Sequence, residues 1–233
     1  MTDYYAERLS GRRLKRCYEL AAPRVRQYLE AEIEHVLSRL KPADVVLELG
    51  CGYGRVTARL ADVAGRVVGI DTAEGSVEMA RELAGANTGC EFLTMDALDL
   101  RFADGEFDAV VCVQNGICAF GVDQEALLRE SLRVTSLGGI TLFSTYSDRF
   151  WQHRLAWFEA QAVAGLVGPI YYAASGEGVI VCEDGFRAGR VTPNGWRSLC
   201  SRLDCHPEIM EIDGSCVFCQ VIKGGAPMLR GSP

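Results

Sequence analysis

The sequence predicts an α/β protein built on a mainly parallel β-sheet with helices on both faces. Three observations carry this. Between residues 45 and 144, short apolar segments alternate with spans of helical periodicity, the rhythm of right-handed βαβ crossovers. The segments at 45–49 (VVLEL) and 107–113 (FDAVVCV) are apolar almost throughout, as strands buried on both faces are. The first of them runs into three glycines, Gly50, Gly52 and Gly54, directly before a helix.

Each element follows from local signals. Residues 1–22 are polar and basic, carry Tyr4, Tyr5 and Tyr18, and read as a helical arm. Pro23 opens a second helix in which Val25, Leu29, Ile33, Val36 and Leu40 recur at helical spacing, with Glu30, Glu32 and Glu34 elsewhere on the wheel. Lys41-Pro42-Ala43-Asp44 stops it. After the strand at 45–49 come a helix over 55–64, a strand over 66–70 closed by Asp71, and a helix over 73–84 that Gly85 ends. Strands follow at 91–94 and 107–113, then a helix over 124–135, and Gly138-Gly139 turns into a strand at 140–144. Beyond residue 146 the pattern loosens into an aromatic helix over 149–165 and a hairpin over 178–192 bending near Asp184-Gly185. A short helix over 194–203 precedes strands at 208–212 and 216–222, which Asp213-Gly214 joins as an antiparallel pair. The Gly- and Pro-rich tail from Gly224 is expected to be loose.

Composition narrows the function. A chain of 233 residues predicts one domain with an elaboration. A formal net charge of −7 weighs against a nucleic-acid partner. The local exception, Arg12, Arg13, Lys15 and Arg16, reads as a solvated helix face. No apolar run approaches the roughly eighteen residues of a membrane span, and no leader-like segment opens the chain, so a cytoplasmic setting is expected. The ten cysteines are then free thiols. Cys216-Val-Phe-Cys219 has no second pair at zinc-knuckle spacing, and an odd offset in a strand points its thiols to opposite faces, so no metal is expected.

Three glycines within five residues exceed what a strand-to-helix turn requires, and suggest a ligand lying against bare backbone. The dinucleotide pattern G-x-G-x-x-G fails, since its third glycine falls on Arg55 or Thr57. In its place Glu48 precedes the glycines, and a carboxylate there favours a cationic or amine-bearing ligand over a pyrophosphate.

The run Glu48-Leu-Gly50-Cys51-Gly52-Tyr-Gly54 resembles motif I of class I S-adenosylmethionine-dependent methyltransferases. Further positions agree in order: Asp71 with Thr72, then Met95-Asp96-Ala97, then Gln114-Asn115 after the fourth strand. The resemblance covers about residues 40–145 and extends to 194–222. It implies a Rossmann-like, seven-stranded, mostly parallel sheet with a reversed C-terminal hairpin. It also implies S-adenosylmethionine as cofactor, with Asp71 on the ribose hydroxyls, Asp96 on the adenine amine, Met95 and Ala97 beside the ring, and Gln114-Asn115 under the methyl group. Alternatives stay open: Asp71 as a helix N-cap, Asp96 as a turn residue, Glu48 paired to a buried cation. The division expected is an arm at 1–40, a core at 41–145 and 193–223, an inserted cap at 146–192, and a tail at 224–233.

Methyl transfer to a small-molecule nucleophile is the function this implies. Asn/Asp-Pro-Pro-aromatic and Pro-Cys signatures of other methyltransferase classes are absent after the fourth strand. The candidate general base is His153, in the expected cap. A site without a base suits a thiol, an amine or an acidic hydroxyl. The alternatives are a cofactor-binding protein without turnover, and an RNA or protein methyltransferase.

Overall fold

The computed structural model describes residues 4–85 and 89–224. Seven strands form one sheet: β1 (Val45–Leu49), β2 (Arg66–Asp71), β3 (Cys90–Thr94), β4 (Phe107–Cys112), β5 (Thr135–Tyr146), β8 (Pro207–Ile212) and β9 (Cys216–Ile222). Their order is β3-β2-β1-β4-β5-β9-β8, and β9 alone runs opposite to the other six. The chain builds outward from β1 to β3, then crosses to the other side of β1 for β4. This reversal opens a crevice at the C-terminal ends of β1 and β4, where α/β sheets bind ligands.

Helices cover both faces because the strands alternate. Val46, Val67 and Val111 face one cluster, filled by α3 (Pro23–Leu37) and α4 (Arg55–Leu60). Their neighbours Leu47, Val68 and Val110 face the other, filled by α7 (Gln124–Val134) and α9 (Pro193–Arg202). Cys216 and Cys219 fall into opposite clusters, as their spacing predicts. α5 (Glu74–Ala84) packs Val77 and Ala80 on Phe92 of β3. Thr192 caps α9 by accepting from the Gly195 amide, with Pro193 in the first turn. The Asp213-Gly214 turn has both φ angles positive (55° and 60°), the geometry that matches the twist of a tight hairpin.

A third apolar cluster lies over the crevice. It joins Leu9, between α1 (Tyr4–Arg8) and α2 (Gly11–Glu19), and Cys17 of α2 to Phe158 of α8 (Trp151–Val163). Ile180 and Ala188 of the small hairpin β6 (Ile180–Val181) and β7 (Arg187–Ala188) complete it.

The structure corrects several boundaries. The helix expected over 55–64 ends at Leu60 and continues as turns. Strand β5 begins at Thr135, ahead of the Gly138-Gly139 pair, because Thr135 pairs with Phe107 before the register shifts and resumes at Ile140. A four-residue helix, α6 (Gly116–Ala119), follows β4 where no helix was expected. Glu32 was expected outside the apolar face of its helix; it is wholly buried. The tail beyond Gly224 lies outside the described residues.

Candidate active site

A cavity of about 1060 Å³ fills the crevice. Its floor is the turn after β1. Gly50 and Gly52 adopt φ of +72° and +52°, a region that excludes most side chains. They also face close neighbours: a Cβ on Gly50 would lie 2.5 Å from the Phe120 ring, and one on Gly52 would lie 2.8 Å from Leu14 of α2. The space before the glycines is thus shared between cavity and the protein's own lining, since Leu14 and Phe120 both border it.

Carboxylates stand along the strand ends. Asp71 closes β2 with its Oδ2 accepting from the Gly52 amide and its Oδ1 from the Ala73 amide, both at 2.9 Å. It therefore ties the glycine turn to the next strand; the N-cap of α5 is Ala73. Asp96 accepts from the Leu98 amide at 2.8 Å in a turn, and it borders the cavity with Met95 and Ala97. Thr72 borders it too. Glu48 is buried at the end of β1 and accepts from Thr57 Oγ1 at 2.5 Å. Burial pushes its carboxyl up to about 7, against the Thr57 hydrogen bond and the Arg55 charge.

Gln114 borders the cavity at the end of β4. Its backbone N–H donates to Ser144 Oγ, which donates to Glu32 Oε1 at 2.6 Å. Glu32 is a second carboxyl that burial lifts to about 7. Gln114 Oε1 accepts from the Tyr18 hydroxyl at 2.5 Å. The Tyr18 ring lies 6.0 Å from those of Tyr53 and Trp157. The same cavity is bordered by an aromatic group, Tyr4, Tyr5, Tyr146, Trp157 and Phe158, which forms its chamber away from the glycines. Beneath it Arg154 is buried, 4.1 Å from the Tyr146 ring centroid, and donates to the carbonyls of Gly178 and Ala188 at 2.8 Å.

Glu48, Gly50, Cys51, Gly52, Asp71, Thr72, Met95, Asp96, Ala97 and Gln114 thus border one cavity. Three expected residues do not. Gly54 sits behind the turn, where a Cβ would meet the Phe92 ring at 3.0 Å and Ala80 at 3.2 Å; it is small so that this turn can pack on α5 and β3. Asn115 is buried as a strut, donating to the Gly189 carbonyl at 3.0 Å and accepting from Thr145 Oγ1 at 2.7 Å. His153 is exposed, its ring 5.7 Å from that of Phe150, and does not border the cavity. Arg55, Tyr146 and Gln161 also border the cavity, and only α8 and β5 packing reveals the latter two.

Residues 46–139 match the family described as a methyltransferase domain. A 2-methyl-6-phytyl-1,4-hydroquinone methyltransferase of Synechocystis is 32% identical over 54% of this chain and 42% of its own. A demethylmenaquinone methyltransferase of Corynebacterium urealyticum is 31% identical over 69% of this chain and 70% of its own. The chain belongs to the S-adenosylmethionine-dependent methyltransferase family. A probable human tRNA methyltransferase 9B is 31% identical over 59% of this methyltransferase chain and 30% of its own. The chain thus spans less than half the length of two of these relatives. A solved structure from Pyrococcus horikoshii shares the fold with a TM-score of 0.67, covering 96% of this chain and 99% of its own at 22% identity.

The cavity fits the cofactor of this methyltransferase family. Side-chain-free turns at Gly50 and Gly52 bordering the cavity, acids at successive strand ends, and the buried carboxyl of Glu48 suit a nucleoside carrying a cationic amino-acid chain.

Proposed function

We propose that this protein transfers the methyl group of S-adenosylmethionine to a small-molecule nucleophile. One observation carries the reading: a single cavity joins the glycine and carboxylate edge of the sheet to an aromatic chamber roofed by the arm and α8. In this reading Asp71 and Asp96 hold the adenosine, while Gly50, Cys51 and Gly52 pass it at van der Waals distance. When bound, the cofactor supplies an electrophilic methyl on a sulfonium. The chain supplies orientation and a dry surround, through Tyr5, Tyr146, Trp157 and Phe158. Among the described residues no histidine borders the cavity, and the Tyr146 hydroxyl stays neutral because burial pushes it up to about 12. An acceptor that is already nucleophilic matches this chemistry. An aromatic chamber favours a planar or apolar acceptor, in line with the hydroquinone and menaquinone relatives.

The same reading assigns residues 146–192 and the start of the arm to the cap and 41–145 with 193–223 to the core, on which α3 of the 1–40 arm packs. Ten unpaired thiols support a reducing, cytoplasmic setting. No helix among the described residues is long and apolar enough to cross a membrane. The tRNA relative supports a second reading. Against it, three of the four cations in the basic run have internal partners: Lys15 and Arg16 pair with Glu19, and Arg13 donates to the Gly165 and Leu166 carbonyls.

The test is release of S-adenosylhomocysteine from S-adenosylmethionine with pools of quinols, phenols, thiols and amines, beside bulk tRNA. Release is expected with a small-molecule pool. Release with tRNA alone would move the assignment to the second reading. Binding without release from any pool would mark a protein without turnover.

A further inference from the structure

One face of α8 is buried: Arg154, Trp157, Phe158 and Gln161, at the helical spacing that an apolar stripe normally fills. Two of the four are polar, and the fold uses only one of them. Arg154 donates to the carbonyls of Gly178, Ala188 and Gly189, and so pins the small hairpin. Gln161 is 3% exposed and borders the cavity, and its side-chain amide makes no hydrogen bond among the described residues. It is not one of the polar groups sealed in without a partner, so the amide opens on the cavity. A desolvated amide beside aromatic walls costs stability unless something hydrogen-bonds it. A ligand in the chamber is what can do so here.

Charge says which polar group the ligand presents. Arg154 is 1% exposed, and among the described residues no carboxylate lies within ion-pair distance of it. Its guanidinium carbon lies 4.1 Å from the Tyr146 ring centroid and 5.8 Å from that of Phe158, and both rings border the cavity. A guanidinium cannot shed its charge, and behind a wall of low dielectric that charge favours a negative guest. The hairpin acid that also borders the cavity, Asp184, is already met by the Tyr4 hydroxyl and by the amides of Gly168 and Phe186. Flat walls of Tyr146, Trp157 and Phe158 suit a planar ring. We infer that the methyl acceptor is a planar ring bearing an acidic hydroxyl, bound as its oxyanion with Gln161 Nε2 donating to the oxygen and the Arg154 charge behind it. The hydroxyl proton leaves to solvent on binding, and the anion is then nucleophilic without a base from the chain. This rests on the chamber being the acceptor half of a methyltransferase cavity.

Two probes test it on protein saturated with S-adenosylhomocysteine: umbelliferone, a planar hydroxycoumarin whose anion excites at longer wavelength than its neutral form, and its methyl ether. Bound umbelliferone should show more anion in its excitation spectrum than the free dye at the same pH, and the ether should bind about 10-fold more weakly. Gln161→Met should weaken umbelliferone about 10-fold while changing the ether and S-adenosylhomocysteine less than about twofold. Gln161→Glu puts a carboxylate where the donor stood and should weaken umbelliferone further. Without ligand, Gln161→Met should melt no lower than wild type, because it removes an unpaired buried amide. Should it fail to fold, Gln161→Glu carries the same two-probe comparison. Equal weakening of both coumarins or of neither, a bound dye that stays neutral, or no binding of umbelliferone to the S-adenosylhomocysteine complex would overturn the inference alone. No binding of S-adenosylhomocysteine itself would overturn the methyltransferase reading on which it rests.

Discussion

At the residue scale, the site is set by polar groups in places that normally exclude them. Glu48 and Glu32 are both buried, and burial lifts each carboxyl to about 7. An acid whose folded value lies above its unfolded one binds its proton more tightly when folded. Its contribution to stability is therefore present at low pH and is lost as pH rises from the ordinary carboxylate range to about 7, with no further change above. Glu48→Gln keeps an oxygen for Thr57 and removes the titration. The stability of Glu48→Gln relative to wild type should grow by about 1–3 kcal/mol between about pH 5 and about pH 7.5, read by urea unfolding. A constant difference across that range would contradict the burial argument. Asp71 illustrates a dual use: its two oxygens organise the turn backbone, and the same side chain borders the cavity where ribose hydroxyls are proposed to lie.

At the element scale, the arm is fastened by side chain to backbone bonds. Trp157 Nε1 donates to the Cys17 carbonyl, and Arg13 Nη2 donates to the carbonyls of Gly165 and Leu166 at 2.8 and 3.0 Å. The Gly11 amide donates to Ser76 Oγ of α5 at 2.8 Å. Each bond spans a long sequence separation, so the roof depends on a few contacts rather than on a continuous ladder. Arg13→Ala should loosen α2 by about 1 kcal/mol and speed its amide exchange roughly fivefold, with β1 and β4 unchanged. Uniform acceleration across the sheet would show instead that the arm is part of one cooperative unit. The helix boundaries follow the same division. Gly85 and Pro23 mark their helices by local chemistry and fall where their sequence signals predict. The start of β5 is set by pairing with Phe107, a contact with no local signature.

At the scale of the whole molecule, the glycine turn and the strand-end acids, where donor recognition is proposed, border one cavity together with residues of α1, α2 and α8. A ligand bridging both should stabilise the folded state by mass action. At about 100 times its Kd, S-adenosylhomocysteine should add about 2.7 kcal/mol, which raises the Tm by roughly 5–10 °C for a chain of this size. No shift at saturating ligand would remove the donor assignment. The net charge of −7 leaves the surface acidic on balance, and on α2 Lys15 and Arg16 share Glu19.

The sequence by itself determined the order of the elements, the two-faced burial of the strands, the Asp213-Gly214 hairpin and the acids at successive strand ends. All of these rest on spacing over a few residues: strand alternation, helical periodicity, and the φ angles that glycine permits. Only the tertiary structure decided what faces the cavity. It turned His153 outward, spent Asn115 on Gly189 and Thr145, put Phe92 behind Gly54, and brought Tyr18, Arg55 and Gln114 together from three separate elements. Those placements depend on which side of each helix meets the sheet and on partners up to 96 residues away, as between Tyr18 and Gln114. Local periodicity does not encode such pairings.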